Sequence, residues 1–127
     1  MAKETVRNTY ALESGEAGEV RIADEVVAII AGLAATEVEG VASMAGNITN
    51  ELVGKLGMKT LSKGVKLTVV DNTVSVVLSL NLEFGFSVPE VSRRVQEKVK
   101  AAIENMTGLE VADVNIRVAG VKVPEED

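Results

Sequence analysis

The sequence predicts an α+β domain: a single mixed or antiparallel sheet of about five strands, with two long helices packed on one face. Three observations predict it. Ser87 to Gly108 carries helix start and stop signals around one apolar stripe. Val65–Val69 and Val74–Leu82 alternate apolar and polar residues on either side of Asp71-Asn72, as a β-hairpin does. Leu109 to Val118 alternates again, as a strand with one covered face does. The expected order is β-α-β-(α)-β-β-α-β. Residues 1–17 read as a flexible acidic tail, 18–123 as the domain and 124–127 as a frayed acidic end.

Residues 1–17 are polar and without period. Gly18 to Ile22 reads as a short strand. Asp24 and Glu25 then open a helix, where carboxylates favour the positive end of the dipole. Val26, Ile29, Ile30, Leu33 and Ala34 form its expected buried stripe, with Val38 near its end. Ala28, Ala31, Gly32 and Ala35 make its other sides small, which suits close approach of a sheet or a second helix. Gly40 is the expected stop, and Val41 to Ala45 a short strand.

Between Gly46 and Gly64, Ile48, Leu52, Val53 and Leu56 have helical spacing, interrupted by Gly54 and Gly57. A turn of helix or loop is expected around Met58 to Ser62. The hairpin follows, turning at two residues that tolerate positive φ.

In the second long helix, Ser87 and Glu90 fit a capping box, and Phe86 with Val91 a hydrophobic staple. Pro89 in the first turn gives up an amide with no helical partner. Val91, Val95, Val99, Ala102, Ile103 and Met106 form the stripe, and Gly108 is the left-handed stop. In the last strand, Ala112, Val114, Ile116 and Val118 are expected on the covered side.

The composition narrows the chemistry. The 127 residues contain no His and no Cys, which removes the commonest general base and all thiolate chemistry. Paired carboxylates such as Asp24-Glu25 and Glu37/Glu39 match no metal-loop spacing and read as solvated charge. The reading is no enzyme, no catalytic residue, no metal and no cofactor. A net charge of −6 with 2% aromatic residues disfavours broad nucleic-acid binding. The start lacks an apolar signal core, and no run of about 18 apolar residues exists, so membrane insertion is not expected and a cytoplasmic location is.

Two surfaces remain as candidates. The first is a protein-contact surface: the mixed-charge face of the second helix (Arg93, Arg94, Glu97, Lys100) and the hairpin Val65–Leu82 with Val77, where an edge strand can pair with a copy of itself or a partner. Its helix charges are spaced for i,i+4 pairs, which a salt-bridged outer face explains better than a membrane-surface role. The second is the loop Gly54-Lys55-Leu56-Gly57. Its Gly-x-x-Gly spacing, between two short helices and ahead of two strands and a long helix, matches the order of a KH-type RNA-binding module.

Three stretches together resemble a known family. They are Gly18-Glu-Val-Arg-Ile-Ala-Asp-Glu-Val-Val through Gly40-Val-Ala-Ser-Met-Ala-Gly46; Leu61-Ser-Lys-Gly-Val-Lys66; and Gly85-Phe-Ser-Val-Pro-Glu-Val91 through Asn105-Met-Thr-Gly-Leu-Glu-Val111 and Val114-Asn-Ile-Arg-Val-Ala-Gly-Val121. Their order and spacing over residues 18–121 resemble the alkaline shock protein family, the Gls-type envelope stress response proteins of Gram-positive bacteria. The resemblance implies a non-enzymatic cytoplasmic scaffold, homo-oligomeric, held at the inner face of the membrane by a small membrane-anchored protein. It also implies an alternative, since some short members are linked to fatty-acid synthesis at acetyl-CoA carboxylase.

Overall fold

The computed structural model describes residues 9–15, 18–46 and 57–123. The predicted class holds: an α+β fold with two helices on one face of a mixed sheet. The elements are β1 (Thr9–Gly15), β2 (Gly18–Ala23), α1 (Asp24–Thr36), β3 (Val41–Met44), a 3-10 helix (Met58–Gly64), β4 (Val65–Val70), β5 (Thr73–Glu83), α2 (Val88–Thr107) and β6 (Glu110–Lys122).

β5 is the central strand. β6 runs parallel along one of its edges from Thr73 to Glu83. Antiparallel β4 and β3 share the other edge, β4 beside Thr73–Leu78 and β3 beside Leu80–Leu82. The turn between β4 and β5 is as predicted: Asp71 and Asn72 have φ of 50° and 64°, the pair of positive values that a tight hairpin turn demands. Alternation in β5 sends Val74, Val76, Leu78, Leu80 and Leu82 inward, where all are buried. The opposite face, with Ser75, Val77 and Ser79, has no helix on it among the described residues.

The N-terminal end differs from the expectation. Thr9–Gly15, read as part of a tail, is a strand, and β2 pairs with it rather than joining the main sheet. The glycines at 15 and 18 face each other at the end of the ladder. A hairpin can satisfy its backbone locally without an apolar stripe, so periodicity did not reveal it. Residues 1–8 and 124–127, read as tails, lie outside the described residues.

α2 follows its caps closely. The Ser87 hydroxyl accepts from the Glu90 amide at 3.4 Å, and Gly108 takes φ of 79° after the last turn. The reciprocal half of the capping box is not made, because the Glu90 carboxylate turns to Arg94 at 3.3 Å. Ser87→Ala should therefore cost about 0.5–1 kcal/mol, the lower part of the usual range for losing a cap, measured by urea denaturation. Val91, Val95, Val99 and Ile103 are buried as predicted. Met106, predicted in the stripe, is 68% exposed. Thr107 is buried in its place: its hydroxyl donates to the Ile103 carbonyl at 2.6 Å and accepts from the Leu109 amide at 3.1 Å, turning the chain into β6. In β6 a bulge after Val111 puts Ala112 outside, where alternation had placed it inside.

Candidate interaction site

α1 is apolar on two sides, and it packs the small one. Val27, Ala28, Ala31, Ala34 and Ala35 are buried against the sheet, the 3-10 helix and α2. Val26 is 47% exposed, and Ile29, Ile30 and Leu33 are only partly buried. Of the expected stripe Val26, Ile29, Ile30, Leu33 and Ala34, the first four therefore lie mostly on the outer side, and Ala34 alone is buried. The physical reason is distance. Alanines and Gly32 let α1 lie close to its neighbours, and Gly32 meets the backbone of Leu61 in the 3-10 helix. Larger side chains would hold these elements apart.

The consequence is an apolar groove between the helices. Ile29, Ile30, Leu33 and Ala34 line it from α1, and Ala102 and Met106 from α2. Lys98 and Glu37 complete it and pair with each other at 3.6 Å. Glu37, read from the sequence as solvated charge, is exposed and reaches Lys98 across the mouth of the groove. The groove measures about 290 Å³, at the low end for small-molecule sites. Fully burying one Leu or Ile side chain contributes about 1.5–3 kcal/mol. Completing the burial of several half-covered ones can supply several kcal/mol before association costs.

The sequence-derived contact residues fall elsewhere. Arg93, Arg94, Glu97 and Lys100 are exposed on the outer side of α2. Arg94 and Arg93 both reach Glu90, at 3.3 and 4.0 Å. Val77 lies on the opposite face of the sheet, partly buried between Lys66 and Asn115. Because β5 is central, it offers no free edge; β4, the outer strand of the hairpin, pairs with no second strand among the described residues. Gly54, Lys55 and Leu56 lie outside the described residues, and Gly57 is exposed with φ of 98°.

Among the described residues, no three His, Cys, Asp or Glu side chains converge as metal ligands. None of the described buried side-chain polar atoms lacks a hydrogen-bond partner. No described helix is long and apolar enough to cross a membrane.

Comparison with known proteins joins this geometry to a lineage. A family model of the alkaline shock proteins, described as having a cell envelope-related function, matches residues 13–123. The chain belongs to the alkaline shock protein family. It is the family that the sequence motifs resemble. The protein YqhY of Bacillus subtilis is 38% identical over 110 residues, covering 87% of this chain and 82% of its own. A stress response regulator gls24 homolog of Streptococcus pyogenes is 29% identical over 128 residues, covering 99% of this chain and 72% of its own. Among solved structures, a MamM-CTD variant aligns with a TM-score of 0.47 at 14% identity, covering 80% of this chain and 99% of that one. The alkaline shock protein family is of the cell-envelope stress-response type and is not a known enzyme family.

The groove escaped sequence reasoning because periodicity marks an apolar side, not which of two sides meets the core. The signal available was size: an Ala/Gly side against an Ile/Leu side on one helix.

Proposed function

We propose that this protein is a non-enzymatic cytoplasmic scaffold of the cell-envelope stress response. It self-associates and binds a small membrane-anchored protein, which brings it to the inner face of the membrane. The observation that carries this reading is the α1–α2 groove, an aliphatic channel between two helices in a chain of an envelope-related family. A third helix fits such a channel, laying apolar residues at i, i+3, i+4 and i+7 along Ile29, Leu33 and Met106. The Lys98–Glu37 pair presents one charge of each sign to the partner's flanks.

The test places a photo-activatable residue at Leu33 in the native cell. It should cross-link to one membrane-anchored protein, and the same residue at Thr68 on the opposite sheet face should not. Leu33→Glu and Met106→Glu should each weaken that association at least about tenfold, by placing a charge in an apolar contact. Met106 is already two-thirds exposed, so its variant keeps the fold. Equal cross-linking from both positions, or unchanged association in both glutamate variants, would remove the groove from the account.

A further inference from the structure

Among the described residues β6 pairs only with β5, and the chemistry of its outer edge suits a second copy of itself. The Ser79 carbonyl accepts from the Ala45 amide at 2.9 Å, and the Glu83 amide donates to the Gly40 carbonyl at 2.8 Å. Odd-numbered residues of β5 therefore turn their backbone groups toward β3 and β4, and even-numbered ones toward β6. In a parallel pair only one of two aligned residues points at the other strand. Val114, Ile116, Val118 and Val121, aligned with Val76, Leu78, Leu80 and Leu82, thus turn their backbone groups outward.

α2 caps the near end of that edge. Gln96 donates to the Val114 carbonyl at 2.9 Å, and Glu104 accepts from the Val111 amide at 3.0 Å. Beyond Val114, no described residue meets the outward groups. Such an edge is a template for another strand.

The occupant is set by charge. Asp113, Asn115 and Arg117 stand in a row on the outer face of β6, all exposed. Asn115 donates to Asp113 at 3.1 Å, and Arg117 makes no ion pair with any described residue. We propose that two copies pair antiparallel through β6 about a two-fold axis at Asn115. Asp113 then faces the partner's Arg117, and Arg117 the partner's Asp113. Val114 and Ile116 exchange backbone hydrogen bonds with the partner's Ile116 and Val114. The Val114 carbonyl keeps Gln96, since it has two lone pairs.

The helix layer agrees with this register. α2 packs over β6, the edge strand, so the pairing brings the two copies of α2 side by side. Gln96 marks the point of α2 above Val114. One strand residue equals about two helix residues of rise, so the axis passes near Arg94 and Val95. Arg93 then approaches the partner's Glu97, and Glu90 the partner's Lys98 and Lys100. A surface whose opposite charges meet across its own two-fold is what an isologous dimer requires.

This inference rests on the self-association part of the proposed function and names its surface. Sedimentation equilibrium of the full chain should show a concentration-dependent dimer. Asp113→Arg and Arg117→Asp, each at an exposed position, should weaken it at least about tenfold by opposing like charges. The double variant D113R/R117D should restore it to within about threefold of wild type, since it re-creates both pairs. Unchanged dimers in the single variants, or no recovery in the double, would overturn the β6 pairing. Dissociation by Leu33→Glu alone would also overturn it, by moving self-association to the groove while leaving self-association itself intact. A wild type monomeric throughout would remove both, leaving partner docking at the groove as a separate matter.

Discussion

Gly32→Val should destabilise the fold by about 3 kcal/mol or more, although a glycine inside a helix is ordinarily a weak point. Helix propensity alone argues for replacement: glycine costs a helix about 1 kcal/mol relative to alanine. Packing decides against it. A Cβ at Gly32 would lie well inside van der Waals contact of the Leu61 carbonyl oxygen and 3.1 Å from Leu61 Cβ. The obstacle is backbone, so no rotamer relieves it. Either α1 or the 3-10 helix must move, and Leu61 is fully buried. Overpacking a tight site typically costs about 1–3 kcal/mol, and valine adds two further methyl groups at that contact. Gly32→Ala should destabilise by a smaller amount, because its propensity gain offsets part of the clash. Thermal unfolding followed by circular dichroism measures both. A stabilised Gly32→Ala would show that the two elements separate easily, and would undercut the close-approach explanation for the exposed outer side of α1.

Leu80→Ala should cost about 2–5 kcal/mol, the range for deleting a buried leucine side chain beyond Cβ. Leu80 is 0% exposed on the central strand, with β3 on one side and β6 on the other. With so few aromatic residues, the core is built from Val, Leu, Ile, Ala and Met. Neighbouring β-branched side chains have few rotamers with which to fill the space, so the cavity stays open. Against a total stability of about 5–15 kcal/mol for an ordinary domain, this is a large fraction. Urea denaturation should show the lower midpoint with an unchanged slope.

Local signals carried most of the fold. The caps and stripe of α2 act within a few residues, so Ser87, Val91, Val95, Val99 and Gly108 sit where the sequence places them. The Asp71-Asn72 turn is equally local. The exceptions depend on distant partners. Met106 has helical spacing with Ile103, yet it stands at the open α1–α2 groove while Thr107 takes the buried position. Ala112 alternates correctly with Val114, yet the bulge required by pairing with β5 turns it out. β6 pairs parallel to β5 through the intervening α2, and no residue in either strand announces that choice. The candidate site was the least legible part. The charges singled out on α2 are exposed, but the groove depends on which side of α1 the sheet and α2 take. Which backbone groups of β6 turn outward follows from the direction of those of β5, which only the assembled sheet defines.

A partner held in the groove between α1 and α2 should decide where the protein sits in the cell. Fluorescence imaging of the tagged protein in its native cell, wild type beside Met106→Glu and Leu33→Glu, tests it most directly. Wild type should give a rim at the membrane, and both variants, each folded by circular dichroism, a diffuse cytoplasmic signal. The same distribution for all three proteins would contradict it.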